Sequence, residues 1–396
     1  MVKIKRVDEI NLKGMRVLLR VDFNVPLGDK NQITDDTRIV SALQTINYII
    51  QHGGKLIIAS HLGRPKGKKD SKYSLAPVAE RLSQLLNKKV ELVPDCIGGE
   101  VQKKIEELKE GDLVLLENLR FYEEEEKNDK EFSKALASLC DVYINDAFGA
   151  AHRAHASVEG ITHYVKEVGA GFLMIKEIEC LEKVLVNPEK PYIAILGGAK
   201  ISDKIGVIEN LLDKVDTILI GGGMAYTFLK AQGFEVGRSI IEEDKIKFAL
   251  DLIERAKSKT KLILPLDHVA AQQIREDAKR EIVSNEEIPP DWVCLDIGPE
   301  TIKRFSQEIN PAKTIFWNGP MGVFEMKPFS QGSFSIAKEV ANSKAFSVVG
   351  GGDTIAVINK AGVSHSISHI STGGGASLEF IEGKKLPGIE ALRKVG

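Results

Sequence analysis

Cationic side chains crowd a short segment that follows an apolar run in the first third of the chain. The segment 60–70, SHLGRPKGKKD, contains His61, Arg64 and three lysines on either side of Gly63. The preceding run, 55–59, is predicted to be a buried strand, and open α/β sheets bind ligands beyond the carboxyl ends of their strands. The chain has 54 basic and 56 acidic residues, so this positive charge is local. Local charge at a strand end predicts an anion-binding site.

Composition restricts the classes of protein to consider. A formal net charge of −2 disfavours nucleic-acid binding, which usually requires a strongly basic domain. The sequence has no run of about 18 apolar residues and no secretory signal, so we expect no membrane contact. The cysteines are far apart and include no C-x-x-C pair, which favours reduced thiols over disulfides or a zinc site. We therefore expect a cytoplasmic protein. The cysteines are Cys96, Cys140, Cys180 and Cys294.

Short apolar runs alternate with amphipathic stretches along the chain, and this alternation predicts a doubly wound α/β fold with parallel sheets. A length of 396 residues favours two domains, which we expect to be divided by a helix and a proline-containing link within 167–191. The acidic run 123–130 is interpreted as a solvated surface segment. Residues 37–51 are predicted to form a helix with one apolar stripe. The stripe consists of Val40, Leu43, Ile46, Ile49 and Ile50.

The predicted strand ends differ between the two halves. Those of the first half carry polar and cationic side chains that suit a small anion. In the second half, glycine runs follow the strands at 197–198, 221–223, 350–352 and 373–375. Glycine lets the backbone approach a ligand closely and leaves helix N-termini open to phosphate, which suits a nucleotide. The polar residues of the first half are Asp22, Asn24, His61, Arg64, Arg120 and Arg153.

Two cations occupy predicted helix starts, where the helix dipole already supplies positive charge. Arg38 follows TDDT, and Lys204 follows a segment in which Ser202 or Asp203 could cap the helix. Chance or a local carboxylate, Asp36 or Asp203, could explain either cation. A polyanion bound between the halves would explain both.

The group GGGDT, 350–354, is the strongest of the glycine motifs. Asp353 could bind Mg²⁺ beside backbone amides that hold phosphate, or it could simply be an N-cap. No P-loop and no complete G-x-G-x-x-G is present. His152 and His155 could ligate a metal, but with no obvious third ligand a structural or anion-contacting role is favoured.

From about residue 16 to its C-terminus, the chain resembles the phosphoglycerate kinase family. The resemblance rests on long motifs in the family's order, among them RVDFNVP, TDDTRI, SHLGRPKG, ENLRF, NDAFGAAHRAHAS, GGAKISDKI, GGGMAYTF, FWNGPMGVFE and GGGDT. It implies two doubly wound, Rossmann-like domains that face each other across a hinged cleft. Residues 1–170 would bind 3-phosphoglycerate, 171–190 would link the domains, 191–378 would bind the nucleotide, and 379–396 would pack back on the first domain.

The resemblance implies reversible phosphoryl transfer between 1,3-bisphosphoglycerate plus ADP and 3-phosphoglycerate plus ATP, with Mg²⁺, by a monomer. The acid would be bound by Asp22, Asn24, Arg38, His61, Leu62, Gly63, Arg64, Arg120 and Arg153. The nucleotide would be bound by Lys204, Gly221, Gly222, Asn318, Pro320, Val323, Glu325, Gly351, Gly352, Asp353 and Thr354. Within this set, Glu325 would meet the ribose, Asn318 a phosphate and Asp353 the metal. Arg38, Lys200 and Lys204 would be catalytic.

Two positions depart from the family pattern. Cys294 stands where a glycine is usual beside the base, which puts purine selectivity in question, and His268 stands where an apolar residue is common and is interpreted as structural. Two other functions stay open at this point: an acyl-phosphate kinase with a different acid, and a two-lobed anion-binding protein without catalysis.

Overall fold

The computed structural model describes residues 4–395 and the side chains of residues 4–393, which divide into two compact units. One unit contains the chain up to Glu179 together with the part from Lys385 onward, and the other runs from Cys180 to Lys384. Residues 1–3 and 396, at the outer ends of the predicted segments 1–170 and 379–396, lie outside the described residues.

A sheet of six parallel strands forms the centre of the first unit. The strands are β1 (Arg16–Arg20), β2 (Lys55–Ala59), β3 (Glu91–Leu92), β4 (Leu113–Leu115), β5 (Val142–Asn145) and β6 (Glu167–Ala170). Their order across the sheet is β3-β4-β2-β1-β5-β6. All positions of β4 and β5 are buried, as expected for strands with helices on both faces. The predicted parallel α/β architecture is confirmed for this unit.

Helices cover this sheet and continue into the second unit. They are α1 (Thr37–Gln51), α2 (Ala76–Leu86), α3 (Gly99–Glu106), α4 (Glu123–Glu126), α5 (Lys130–Ala137) and α6 (Phe172–Leu185). The bounds of α1 agree with the prediction, but its buried face is rotated. Ile39 and Ala42 are buried, whereas Val40 is 46% exposed. Ile46 and Ile49 do face the core, where they share one apolar cluster with strand residues of β1 and β2.

The second unit has its own sheet of six parallel strands. They are β7 (Tyr192–Leu196), β8 (Thr217–Ile220), β9 (Lys261–Ile263), β13 (Thr314–Asn318), β14 (Phe346–Gly350) and β15 (His369–Ile370), in the order β15-β14-β13-β7-β8-β9. The helices of this unit are α7 (Ile205–Leu211), α8 (Met224–Ala231), α9 (Ile246–Ala256), α10 (Pro299–Ile309), α11 (Gln331–Asn342), α12 (Gly352–Lys360) and α13 (Gly375–Ile381). The prediction of a second parallel sheet is confirmed.

A small antiparallel sheet in the second unit was not predicted. It consists of β10 (Asp267–Ala271), β11 (Arg280–Ser284) and β12 (Val293–Ile297), in the order β11-β10-β12. His268 on β10 is fully buried, and its two ring nitrogens lie 3.2 Å from Tyr226 Oη and 2.7 Å from Asn285 Oδ1. Its structural interpretation is therefore confirmed.

The last helix, α14 (Pro387–Val395), belongs to the first unit. The amide of Gly388 donates to the carbonyl of Ala151 at 2.9 Å, which anchors the helix beside the segment that follows β5. A side chain at position 388 would collide with Val158, because a Cβ there would lie 2.8 Å from Val158 Cγ1.

The interpretation of 123–130 as fully solvated is wrong at one position. Glu125, inside the four-glutamate helix α4, is completely buried, whereas Glu123 beside it is exposed. The burial of this carboxylate is possible because polar partners from distant segments surround it, as described below.

Across residues 4–395, no helix is both long enough and apolar enough to cross a membrane.

Candidate functional site

Polar side chains of the first unit meet at the carboxyl edge of its sheet. Asp22 and Asn24 follow β1, His61 follows β2, and Arg120 lies in a 3₁₀ turn just after β4. Strands β4, β2 and β1 are direct neighbours. Because parallel strands end at the same edge, four residues from distant parts of the sequence share one site.

Hydrogen bonds join several of these residues directly. Arg38 Nη1 donates to Asp22 Oδ2 at 2.5 Å, and the amide of Gly63 donates to Asn24 Oδ1 at 2.8 Å. Arg120 Nη1 donates to the carbonyl of Gly63 at 2.9 Å. The structure thus brings together five of the predicted acid-binding residues through short polar contacts.

The local explanation for the charge of Arg38 is wrong. Asp36, the N-cap of α1, instead accepts a hydrogen bond from Arg81 Nε at 2.8 Å. Arg38 reaches away from its own helix to Asp22, and its side chain is still about one third exposed. It can therefore contact a ligand while it is held in place.

His61 lies at the centre of the cationic residues. It is only 5% exposed, and its Nδ1 lies 3.3 Å from Arg20 Nη2 and 3.9 Å from Asp22 Oδ1. Burial lowers the pKa of His61 well below its usual value, and the nearby charges of Arg20, Arg120 and Arg38 lower it further. His61 is therefore a neutral imidazole at physiological pH.

The remaining predicted acid-binding residues have different surroundings. Arg64 is exposed and makes no hydrogen bond or ion pair to the residues that the structure describes, so it is available to a ligand. Arg153 Nε donates to His152 Nε2 at 3.1 Å. The amide of Leu62 donates to Asn118 Oδ1 at 3.2 Å, which makes its role structural. Burial lowers the pKa of Arg120 to about 10, and Arg153 adds to this effect.

A pocket of about 420 Å³ lies beyond the strand ends of the second unit. Its walls are mostly apolar, with carboxylates at the rim. The lining residues are Gly198, Ala199, Gly222, Gly223, Tyr226, Arg238, Ile240, Ile274, Val293, Cys294, Leu295, Pro320, Met321, Gly322, Val323, Glu325 and Asp353. An apolar slot with polar groups at its edge suits a flat heterocycle that carries a charged tail.

The predicted nucleotide-binding residues divide into two groups. Five line the pocket: Gly222, Pro320, Val323, Glu325 and Asp353. The others are not among the lining residues: Lys204, Gly221, Asn318, Gly351, Gly352 and Thr354. Thr354 is fully buried and accepts a hydrogen bond from the amide of Gly319 at 2.7 Å, so its side chain supports the loop. Gly221 lies behind Met321, whose Sδ would be 2.4 Å from a Cβ at position 221.

Glycine is required at two turns of this site. Gly222 has φ +65°, and a Cβ there would lie 2.6 Å from the amide nitrogen of Gly198. Gly351 has φ +91° and is the N-cap of α12. The first amides of a helix have no partner within the helix, so α12 presents hydrogen-bond donors at this point.

Asn318 supplies a further donor next to these amides. Its Nδ2 is buried without a hydrogen-bond partner among the described residues, and it would lie 2.9 Å from a Cβ at Gly351. A buried amide group without a partner is costly unless a ligand or water satisfies it. Its position beside the start of α12 favours an anionic oxygen as that partner.

Lys204 is placed differently from the prediction. Residues Ser202–Lys204 form a 3₁₀ turn, and Lys204 is the N-cap of α7, while neither Ser202 nor Asp203 caps the helix. The amide of Ser202 donates instead to Glu242 Oε2 at 3.0 Å. Lys204 is 9% exposed, and burial lowers its pKa. Lys200 is exposed.

Asp353 occupies the second position of α12 and does not cap it, so the N-cap alternative is wrong. Its exposed carboxylate at the rim of the pocket suits Mg²⁺, which takes oxygen ligands and usually binds through one or two carboxylates together with substrate phosphates. Among the described residues, no group of three or more His, Cys, Asp or Glu side chains could hold a metal by itself.

Sequence analysis missed several pocket residues, namely Tyr226, Arg238, Ile240, Ile274 and Met321. Tyr226 belongs to the motif GGGMAYTF, whose aromatic residue could have been assigned to the pocket. Cys294, singled out as unusual, does line the pocket, and it is 5% exposed. Burial raises the pKa of its thiol to about 11, so it is un-ionised at neutral pH.

Comparisons with known proteins agree with this geometry. A family model described as phosphoglycerate kinase matches residues 7–384. A phosphoglycerate kinase of Koribacter versatilis is 57% identical over 395 residues, covering 98% of each chain, and one of an Anaeromyxobacter species is 55% identical over 392 residues, covering 98% of this chain and 99% of the relative. The solved phosphoglycerate kinase of Coxiella burnetii is 43% identical, covers 99% of each chain and superposes with a TM-score of 0.91.

Proposed function

The chain belongs to the phosphoglycerate kinase family and is therefore a phosphotransferase of glycolysis, and we propose that it transfers a phosphoryl group reversibly between 1,3-bisphosphoglycerate plus ADP and 3-phosphoglycerate plus ATP. The observation that carries this assignment of substrates is the convergence of Arg38, His61 and Arg120 at the ends of neighbouring strands in one unit. The second unit offers a nucleotide-sized pocket instead.

The first unit binds the acid in this proposal. Arg64 and Arg153 hold the phosphate, Asn24 and Asp22 orient the glycerate, and Arg38 faces the carboxylate that reacts. Neutral His61 donates one hydrogen bond without needing a proton from solution. Leu62 and Gly63 shape this wall, and Arg120 fixes it through the carbonyl of Gly63.

The second unit binds the nucleotide. The apolar walls of the pocket enclose the base, Glu325 meets the ribose, and the amides at the start of α12 together with Asn318 Nδ2 hold phosphate oxygens. Asp353 would hold Mg²⁺, which neutralises phosphate charge when it is bound. The proposed nucleotide set also retains Lys204, Gly221, Gly351, Gly352 and Thr354, with Thr354 acting through the loop that it supports.

The reaction itself requires no general base. The acceptor is a carboxylate, which is ionised at neutral pH because carboxylic acids have pKa values of about 4. Catalysis then consists of aligning two anions and neutralising the charge that spreads over the transferring group. Arg38, Lys200 and Lys204 supply this charge. Because the two ligands are assigned to different units, we also propose that the units close on each other when both ligands are bound.

A coupled assay of ATP formation from 1,3-bisphosphoglycerate and ADP tests the reaction. Activity with acetate or aspartate but none with 3-phosphoglycerate would instead indicate another acyl-phosphate kinase, and nucleotide binding without turnover would indicate a binding protein. Small-angle scattering tests closure, since the protein should become more compact only with both ligands. A monomer in the cytoplasm stays a prediction, which sedimentation and cell fractionation would test.

A further inference from the structure

Glu125 is a fully buried acid next to the acid-binding site, and no step proposed above uses it. Its carboxylate is bound entirely by one residue of a distant segment. Ser157 donates twice, through its amide to Oε2 at 2.9 Å and through its hydroxyl to Oε1 at 2.6 Å. The backbone agrees with this pairing, because the amide of Ala156 donates to the carbonyl of Glu125 at 2.9 Å.

The hydroxyl of Ser157 connects the acid to Arg20. Arg20 Nε donates to Ser157 Oγ at 2.8 Å, and Arg20 Nη2 lies 4.0 Å from Glu125 Oε1. Arginine has only donors, so Ser157 Oγ must accept from it and give its own proton to the carboxylate. The direction of every bond from Arg20 to Glu125 is thereby fixed. Arg20 and Ser157 are both fully buried.

The same guanidinium fixes His61. Arg20 Nη2 lies 3.3 Å from His61 Nδ1 and can only donate, so Nδ1 must be the unprotonated acceptor. The proton of the neutral ring is then on Nε2. No hydrogen bond joins Nε2 to another residue of the described chain, which leaves this N–H free to donate to an anionic oxygen.

We propose that Glu125 is a positioning residue of the acid-binding site: through Ser157 and Arg20 it holds neutral His61 as the Nε2–H tautomer, the form that donates to a bound acid. The part of the proposal that concerns the bound acid rests on the function proposed above, while the tautomer does not. Glu125 supplies the negative charge that keeps Arg20 in its buried position, since an unpaired buried cation would be strongly disfavoured.

Nitrogen NMR of histidine tests the tautomer without any substrate. Protonated and unprotonated ring nitrogens have well separated ¹⁵N chemical shifts, and loss of the signals in His61→Gln identifies those of His61. In the wild-type protein we expect a protonated Nε2 and an unprotonated Nδ1. In Glu125→Gln the two shifts should move toward each other as both tautomers become populated, and KM for 3-phosphoglycerate should rise about tenfold with kcat nearly unchanged.

Two further variants make the result decisive. Ser157→Ala breaks the connection but keeps the acid, so it should give the same NMR change, and it carries the test where Glu125→Gln does not fold. Glu123→Gln neutralises an exposed neighbour that pairs with Lys127 and should leave both the shifts and KM unchanged. A wild-type His61 protonated on Nδ1, or wild-type shifts in both Glu125→Gln and Ser157→Ala, would overturn the proposal. The predicted tautomer in a protein without kinase activity would overturn the proposed reaction alone.

Discussion

Arg38 Nη1 donates to Asp22 Oδ2 at 2.5 Å, which joins the first turn of α1 to the segment after β1. Arg38 is thus restrained by a residue of the sheet edge and not by its own helix. A cation in a first helical turn is unfavourable on its own, and Asp22 offsets that cost while it aims the guanidinium at the site. The pair prepares a positive charge for a reaction between anions.

Arg38→Ala should lower kcat about a hundredfold at saturating substrates, because the neutralisation of transition-state charge is lost. Steady-state kinetics with both substrates saturating checks this. Arg81→Ala is the matched control, since Arg81 forms a similar ion pair with Asp36. A kcat near the wild-type value in Arg38→Ala would contradict the catalytic role of this residue.

Arg64→Ala should act on binding instead. Arg64 is exposed and forms no bond to the described residues, so its contribution arises when the acid is bound. We expect KM for 3-phosphoglycerate to rise about tenfold with kcat within about twofold, as for the loss of one charge-assisted hydrogen bond. Lys66→Ala, which removes a nearby exposed cation, should change neither constant. A large loss of kcat in Arg64→Ala would indicate a role in the transition state.

The sequence sufficed for the parallel sheets and for the convergence of Asp22, His61 and Arg120. Continuous apolar runs identify strands that are covered on both faces, and the carboxyl ends of such strands meet at one edge. The sequence did not suffice for Glu125. Four consecutive glutamates have no periodicity that distinguishes a buried one, and its burial depends on Ser157, 32 residues further along the chain.

The antiparallel sheet was missed for a related reason. Three of the five residues of β11 are exposed, including Ile282 at 62%, so the strand has neither a continuous apolar run nor clear alternation. Asp267 and His268 on β10 are buried polar residues that resemble loop residues in the sequence. Their burial depends on partners such as Thr301 and Asn285, which only the fold brings together.

Asp353 and Glu325 should affect nucleotide binding differently. Asp353→Asn should abolish most of the gain in ADP affinity that Mg²⁺ produces, because the carboxylate proposed to hold the ion is lost. Glu325→Gln should weaken ADP binding by about tenfold both with and without Mg²⁺, because it removes contacts to the ribose. Titration calorimetry in Mg²⁺ and in a chelator checks both variants. An unchanged effect of Mg²⁺ in Asp353→Asn would remove this residue from the metal site.

Asp296 should make the stability of the second unit depend on pH. Burial raises the pKa of this carboxyl to about 7, although it accepts hydrogen bonds from the amides of Gly332 and Ile297. The unfolded chain would release this proton near pH 4, so the folded state holds the proton more tightly between these values. The stability that Asp296 contributes is therefore fully present below about pH 4 and is lost as pH rises through about 7.

Asp296→Asn removes this titration, so its Tm should depend less on pH than that of the wild-type protein. The wild-type Tm minus the variant Tm should fall by about 5 °C between pH 5 and pH 8, as measured by scanning calorimetry. Other titrating groups, such as buried Asp146, are common to both proteins and cancel in the difference. Glu300→Gln, at an exposed position of α10, should follow the wild-type curve. Parallel curves for Asp296→Asn and the wild-type protein would show that Asp296 does not hold its proton in this range.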